Sequence, residues 1–228
     1  MASFARQYGV IYSKSERELY AYFEIGCFLS LVAYYRGLGW KGEAQQLVNG
    51  EYRYHTSPMG NPRNFSYVKM SRGDDVFEIR QQIRIRSFLD NDIEFTPDIV
   101  VVKDGVDILN SRCGEYANGK RSYYSVCSKD VIAVHECKKY KPYPELLVSF
   151  VGFVVSYRLS CFPVNSHVGS PSAKIFHPAP ILFTAIKASA FNVRMINALQ
   201  KQFPLNIIDE MYSGRVNIKQ KAYQYISA

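Results

Sequence analysis

Asp98, Glu136 and Lys138 are the residues whose types and spacing suit chemistry. Asp98 stands early in the apolar run Phe95-Thr96-Pro97-Asp98-Ile99-Val100-Val101-Val102. Glu136 and Lys138 end a second run, Val131-Ile132-Ala133-Val134-His135-Glu136-Cys137-Lys138. Both runs read as strands. Side chains alternate across a strand, so Glu136 and Lys138 project from one side and Cys137 from the other. If the strands pair, Asp98 joins them, and two carboxylates and an ammonium meet at one point. Hard divalent cations take oxygen ligands of that kind, and water attacking a phosphodiester needs a nearby cation and a base. The alternative is a buried lysine–carboxylate cluster without turnover, which is costly to keep.

Pro97-Asp98 followed by Glu136-Cys137-Lys138, on apolar strands in that order with a helix after the lysine, resembles the PD-(D/E)XK nuclease superfamily. That superfamily includes restriction endonucleases, Holliday-junction resolvases and repair nucleases. The likeness in element order spans roughly residues 14 to 200, although the motif itself is a handful of residues. It implies an α/β protein with a restriction-endonuclease-like core, a central mixed β-sheet flanked by helices. It further implies a metal-dependent endodeoxyribonuclease of the restriction or phage-defence kind. Asp98 and Glu136, with the backbone carbonyl of Cys137, would hold one Mg²⁺ or Mn²⁺. Lys138 would orient or deprotonate the attacking water, or meet charge on the phosphate. Two other readings stand beside this one. One is a structure-selective nuclease for junctions or repair, which would require a homodimer. The other is a catalytically inactive nuclease-like module that binds nucleic acid or protein within a larger complex.

The elements that must position these groups follow from pattern. Ser13-Lys14-Ser15-Glu16 has capping-box spacing, and Ser15 to Glu18 repeats it. A helix is expected from there to about Arg36, ending at Gly37 or Gly39. Leu19, Phe23, Cys27, Leu31 and Tyr34 form one apolar stripe; Tyr20, Glu24, Phe28 and Leu31 form an adjacent row. Glu24 is therefore an acid among bulky apolar neighbours, which costs free energy unless it is paired or ligates something. Members of the resembled family often carry an auxiliary acid on the first helix, so Glu24 is a candidate third ligand; a snorkelling or lysine-paired glutamate fits as well. Glu78 is a second candidate, although pairing with Arg80 or Arg84 accounts for it better. Val76 to Phe88 alternates as a half-exposed strand with a basic outer face. Glu94 is expected to be solvated. Tyr143-Pro144-Glu145 opens a largely apolar helix to about Arg158, with proline tolerated in its first turn. Leu146-Leu147-Val148-Ser149-Phe150 stands where exonuclease and repair branches of the family carry a glutamine–tyrosine motif. A strand over 179–187, a helix over 191–203 and a short tail complete the chain.

One nuclease-like domain over residues 1–228 is expected, with loop insertions at about 41–75 and 104–129. The second, longer than the hairpin usual in the family, either grips substrate or extends the sheet. The chain is 47% hydrophobic, which argues against general disorder, and its formal charge of +8 favours a polyanionic partner. With an acidic metal-type site the balance tips toward nucleic acid, RNA included, and the resemblance implies DNA. Arg53, Arg63, Lys120, Arg121, Lys139 and Lys141 are the candidate backbone contacts. Five cysteines without CxxC spacing suggest neither zinc nor a disulfide framework. His135 is expected to point away from the acids. Met1 to Ser15 has no signal-peptide stretch and Leu146 to Tyr157 is too short to span a membrane, so a cytoplasmic location is expected.

Overall fold

Two adjacent apolar rows fold as α1 (Glu18–Gly37) in the computed structural model, which describes residues 18–90, 92–111, 123–157, 176–211, 218–221 and 224–227. The serine–glutamate boxes at 13–18 fall largely outside the described residues. Phe23, Cys27, Phe28, Leu31, Tyr34 and Tyr35 are all buried, so both rows are covered. The helix ends where Leu38 N–H bonds Tyr35 O and Gly39 N–H bonds Arg36 O. Gly39 adopts φ +85°, a left-handed geometry that glycine supplies without strain.

The strands are β1 (Lys41–Gln45), β2 (Tyr67–Arg72), β3 (Asp75–Gln81), β4 (Arg84–Arg86), β5 (Glu94–Phe95), β6 (Ile99–Lys103), β7 (Leu109–Ser111), β8 (Tyr123–Cys127) and β9 (Val131–Lys138). They are followed by α2 (Pro144–Tyr157), β10 (Phe176–Pro178), β11 (Ile181–Thr184), α3 (Ala190–Gln202), β12 (Asn206–Ile208), α4 (Ile218–Lys221) and β13 (Tyr225–Ser227). The fold is α/β with a large mixed central sheet flanked by helices. That sheet has seven strands in the order β1-β2-β3-β6-β9-β11-β12. It is antiparallel from β1 to β9 and parallel from β9 to β12. A smaller sheet, β5-β4-β8-β7, carries four strands, and β10 pairs with β13.

One face of the large sheet packs on α1 through Phe28, Tyr35, Phe77, Ile79 and Phe183. The other face packs on α2 and α3 through Val100, Val134, Leu147, Phe150 and Ile196, and Ile83, Ile85 and Val126 of the smaller sheet join it. Each face thus has its own apolar core. Among the described residues, no helix is long and apolar enough to cross a membrane.

Several expectations change. Segment 41–75, read as a loop insertion, supplies two strands of the main sheet; their charged outer residues (Lys41, Glu43, Lys69) mask the strand periodicity. The stretch 104–129, expected as a substrate-gripping hairpin or a sheet extension, pairs β7 with β8 in a separate smaller sheet and not in the main one, with 112–122 outside the described residues. Val76 to Phe88 is not one half-exposed strand: it breaks after Gln81, and residues 77 to 83 are buried. Glu94 is not solvated but faces Arg84 and Arg86 at 3.6 and 3.9 Å. In β9, Val101 pairs with Ala133 and Val102 with Val131, so Ile132 bulges and joins Ala133 on the α1 face. Val134, Glu136 and Lys138 keep a common face; Ile132 leaves it.

The tail after α3 is part of the sheet. β12 lies parallel to β11, and buried Asn206 ties the last residues to both: its Nδ2 donates to Ala179 O and Gln224 O while its Oδ1 accepts from Gln224 N. Asn206→Ala removes these bonds and leaves buried backbone groups unpaired, so an Asn206→Ala protein should lose about 2–3 kcal/mol of stability, read as a lower urea midpoint at unchanged m-value.

Candidate functional site

The site forms where strands change sheets. β3 and β6 pair as far as Gln81 and Ile99. Beyond that rung β3 runs into β4, and β6 is entered from β5, both members of the smaller sheet. Gln82 makes the turn at φ +50°, an uncommon geometry for a side chain other than glycine, and its N–H still bonds Asp98 O at 3.1 Å. The separation leaves the end of β9 without a neighbouring backbone on its β6 side.

Asp98 fills that gap. Its Oδ2 accepts the Cys137 N–H at 2.7 Å in place of a ladder bond. On the other edge, Lys138 O accepts from Ala185 N. Peptide groups alternate along a strand, so the Cys137 carbonyl issues toward Asp98 as its N–H does. Lys138 Nζ lies 2.6 Å from Glu136 Oε2 and 3.4 Å from Asp98 Oδ2. Asp98, Glu136 and Lys138 therefore converge.

Glu24 reaches the same place from α1. Gln82 Nε2 donates to Glu24 Oε2 at 3.2 Å and to Asp98 Oδ1 at 2.9 Å, bridging the two acids. Glu24 is only 9% exposed and Asp98 7%. Burial, then the charge of Asp98, pushes the Glu24 carboxyl up to about 8. The same two causes push Glu136 to about 8. Burial works against charge on Lys138, yet Glu136 and Asp98 together hold its ammonium above the ordinary range. The cluster is thus three crowded carboxyl groups with one cation among them.

Those donors are hard oxygens, and their mutual repulsion is the kind a divalent cation relieves. The residues fit Mg²⁺ or Mn²⁺ in chemistry: Asp98, Glu136 and the Cys137 carbonyl, with Glu24 alongside. Among the described residues, no three His, Cys, Asp or Glu side chains already stand in a metal-holding arrangement. Lys138 occupies the face between the acids instead.

The other candidates are elsewhere or differently engaged. Glu78 does not join the site: Arg80 Nε donates to it at 2.6 Å and Gly105 N–H at 3.1 Å. Arg53 lies over the Phe65 ring, and Arg63 donates to Ile108 O, which pins the 109–111 strand to the 62–64 turn. Lys139 sits 3.7 Å from the centre of the Tyr20 ring and Lys141 is exposed, both just past the motif. Lys120 and Arg121 lie outside the described residues. His135 points away from the acids; its Nδ1 accepts from Ile181 N–H, and burial pushes its pKa down to about 3. His177 bonds the Tyr35 hydroxyl inside the α1 core. Cys27, Cys127 and Cys137 are free thiols.

Sequence reasoning missed Gln82, placing it on an outer strand face. The available signal was Gln81-Gln82, two adjacent amides interrupting an alternation of arginine and isoleucine. Comparison of the chain with family models, curated proteins and solved structures returned no match.

Glu24 and Glu136 hold protons in the fold that the unfolded chain releases near pH 4.5. Their contribution is complete below that pH and is lost as pH rises toward about 8. In chelator, stability should fall from pH 5.5 to 8.5 by on the order of 1 kcal/mol per pH unit, read as falling thermal midpoints, and Glu24→Gln should flatten the slope. Millimolar Mg²⁺ should raise the midpoint more at pH 8 than at pH 5.5, because the ion needs ionised carboxylates.

Proposed function

We propose that this chain is a restriction-endonuclease-like nuclease that hydrolyses phosphodiester bonds in DNA with Mg²⁺ or Mn²⁺. The observation that carries the reading is the meeting of Asp98, Glu136 and Lys138 at the opened end of the sheet, with Glu24 brought in by Gln82. A bound divalent ion would supply Lewis-acid polarisation of the phosphate and a lower pKa for a nearby water. Asp98 and Glu136, with the Cys137 carbonyl, are the groups that would hold it, and Glu24 extends the set.

The remaining work falls to side chains. Lys138 is one residue from the Cys137 carbonyl and contacts both acids, so its ammonium can orient an attacking water or meet charge growing on the phosphate. Glu136 and Asp98 hold its proton tightly, so it would serve as a base only if a bound cation engaged those carboxylates. Gln82 fixes the separation of Glu24 and Asp98. Lys139 and Lys141, next along the chain, extend positive charge beyond the motif and would meet a DNA backbone. The formal charge of +8 supports a polyanionic substrate.

A second reading has its own observation. The 2.6 Å contact between Lys138 and Glu136 is what a nuclease-like module without turnover would keep, binding nucleic acid or protein while another subunit cuts.

Linear duplex, branched and single-stranded DNA, incubated with and without Mg²⁺, separate these readings. Cleavage of duplex is expected in Mg²⁺ and not in chelator. Asp98→Ala, Glu136→Ala and Lys138→Ala should each lower the rate at least about a hundredfold, in line with loss of a metal ligand or of a charge-stabilising group. Folded variants that cut as well as the parent would sink the assignment, and binding without cutting by the parent would favour the second reading.

A further inference from the structure

A cleft of about 410 Å³ opens beside the acidic cluster, and Gln82 belongs to both. That volume is in the range of sites that take a small organic group. One wall is the smaller sheet: Arg84 of β4 with Tyr123 and Tyr124 of β8. The Arg84 guanidinium lies over the Tyr123 ring, 4.2 Å from its centre, and Tyr124 is half-buried. A second wall is the turn at 58–62 together with buried His55.

That second wall is held in place. His55 stacks on Phe65 with ring centres 4.0 Å apart, and its two nitrogens reach Gln81 O and Met59 O, each at 3.1 Å. Gly60 sits at φ +103° against Phe65, where a Cβ would be 3.2 Å from the ring. Asn61 accepts from Arg63 N–H and caps the turn that follows. The cleft therefore exists before any ligand arrives.

We infer that the cleft takes the base of an unpaired DNA nucleotide lying next to the phosphate to be hydrolysed. The Tyr123 ring with the Arg84 guanidinium over it offers a stacking platform, backed by Tyr124, which also packs on the α2–α3 core, and every base has a face to stack. With the Gln82 amino group held by Glu24 and Asp98 and the Asn61 oxygen held by Arg63 N–H, the Gln82 side-chain oxygen offers an acceptor and the Asn61 amino group a donor for a base edge. A base inside a duplex cannot enter such a cleft without leaving its stack, and bulged or single-stranded nucleotides pay least to do so. Because Gln82 touches Glu24 and Asp98, a base held here keeps its own phosphate near those carboxylates. The inference rests on the nuclease reading of the acidic cluster and adds to it a preference for DNA with an unpaired nucleotide.

The test compares affinities by fluorescence anisotropy, with Ca²⁺ in place of Mg²⁺, for a short paired duplex and the same duplex carrying one extra unpaired adenine. The parent should prefer the bulged duplex by about tenfold, the scale of one base–aromatic stack. Tyr123→Leu/Tyr124→Leu, which keeps bulk without an aromatic face, should lose that ratio, whereas Tyr123→Phe/Tyr124→Phe should keep it. Equal affinity of the parent for both duplexes, or a preserved ratio in the leucine protein, overturns the inference. Should the leucine protein fail to fold, Met59→Glu, which places a like charge beside the bound nucleotide from an exposed position, must abolish the ratio. Parallel digestion in Mg²⁺ keeps the two ideas apart. A bulge preference that depends on tyrosine but comes with no cutting sinks the hydrolytic reading alone, and cutting without the preference sinks the base site alone.

Discussion

The hydrogen bond from Cys137 N–H to Asp98 Oδ2 is the contact on which the site depends. A central strand cannot leave a buried amide unpaired without a penalty of about 1–3 kcal/mol. Here the neighbouring strand has turned away into the smaller sheet, and a carboxylate replaces the missing carbonyl. Substituting a side chain for a rung does two things together. It satisfies the backbone at the end of β9, and it plants an acid beside Glu136 and Lys138. Packing makes the exchange stable: the two apolar cores clamp β6 and β9 up to the last rung before the opening.

Charge inside this opening is balanced without being relaxed. Three carboxyl groups share one ammonium and one amide, and burial keeps water from screening them. Lys138 satisfies Glu136 closely and Asp98 loosely, while Glu24 relies on Gln82. Breaking one partner in such a cluster is more damaging than never having built it. The raised protonation of Glu24 and Glu136 is the measure of that tension. Gln82 accepts an uncommon backbone angle to contribute, consistent with strain concentrating where groups must be placed against their preference.

Much of this was legible in the residues. β6 and the first half of β9 are continuous apolar runs rich in Val and Ile, the pattern of strands covered on both faces, and the acids beside them stood out against it. α2 and α3 followed from apolar spacing to within a residue or two. What escaped depended on tertiary pairing. β1 and β2 are edge-side strands with charged residues on their open faces, so no alternation of hydrophobicity marks them clearly. The break after Gln81 is invisible because both flanking segments are extended; only the partner strands differ. Glu94 looked solvated because Arg84 and Arg86 approach it from a strand whose register a single sequence does not state. Glu24 was legible as an anomaly, an acid in an apolar row, while its route to Asp98 through a glutamine was not.

The bulge at Ile132 has a bearing on how this chain tolerates change. Upstream of it β9 follows one phase of inside and outside; downstream, where Glu136 and Lys138 lie, it follows the other. The irregularity works as a slip joint. Lengthening or shortening the connection before β9 can be absorbed there, in the half of the strand that carries only hydrocarbon. The acid–lysine half, clamped between Asp98 and β11, then keeps its orientation whatever happens to the loop that leads into it.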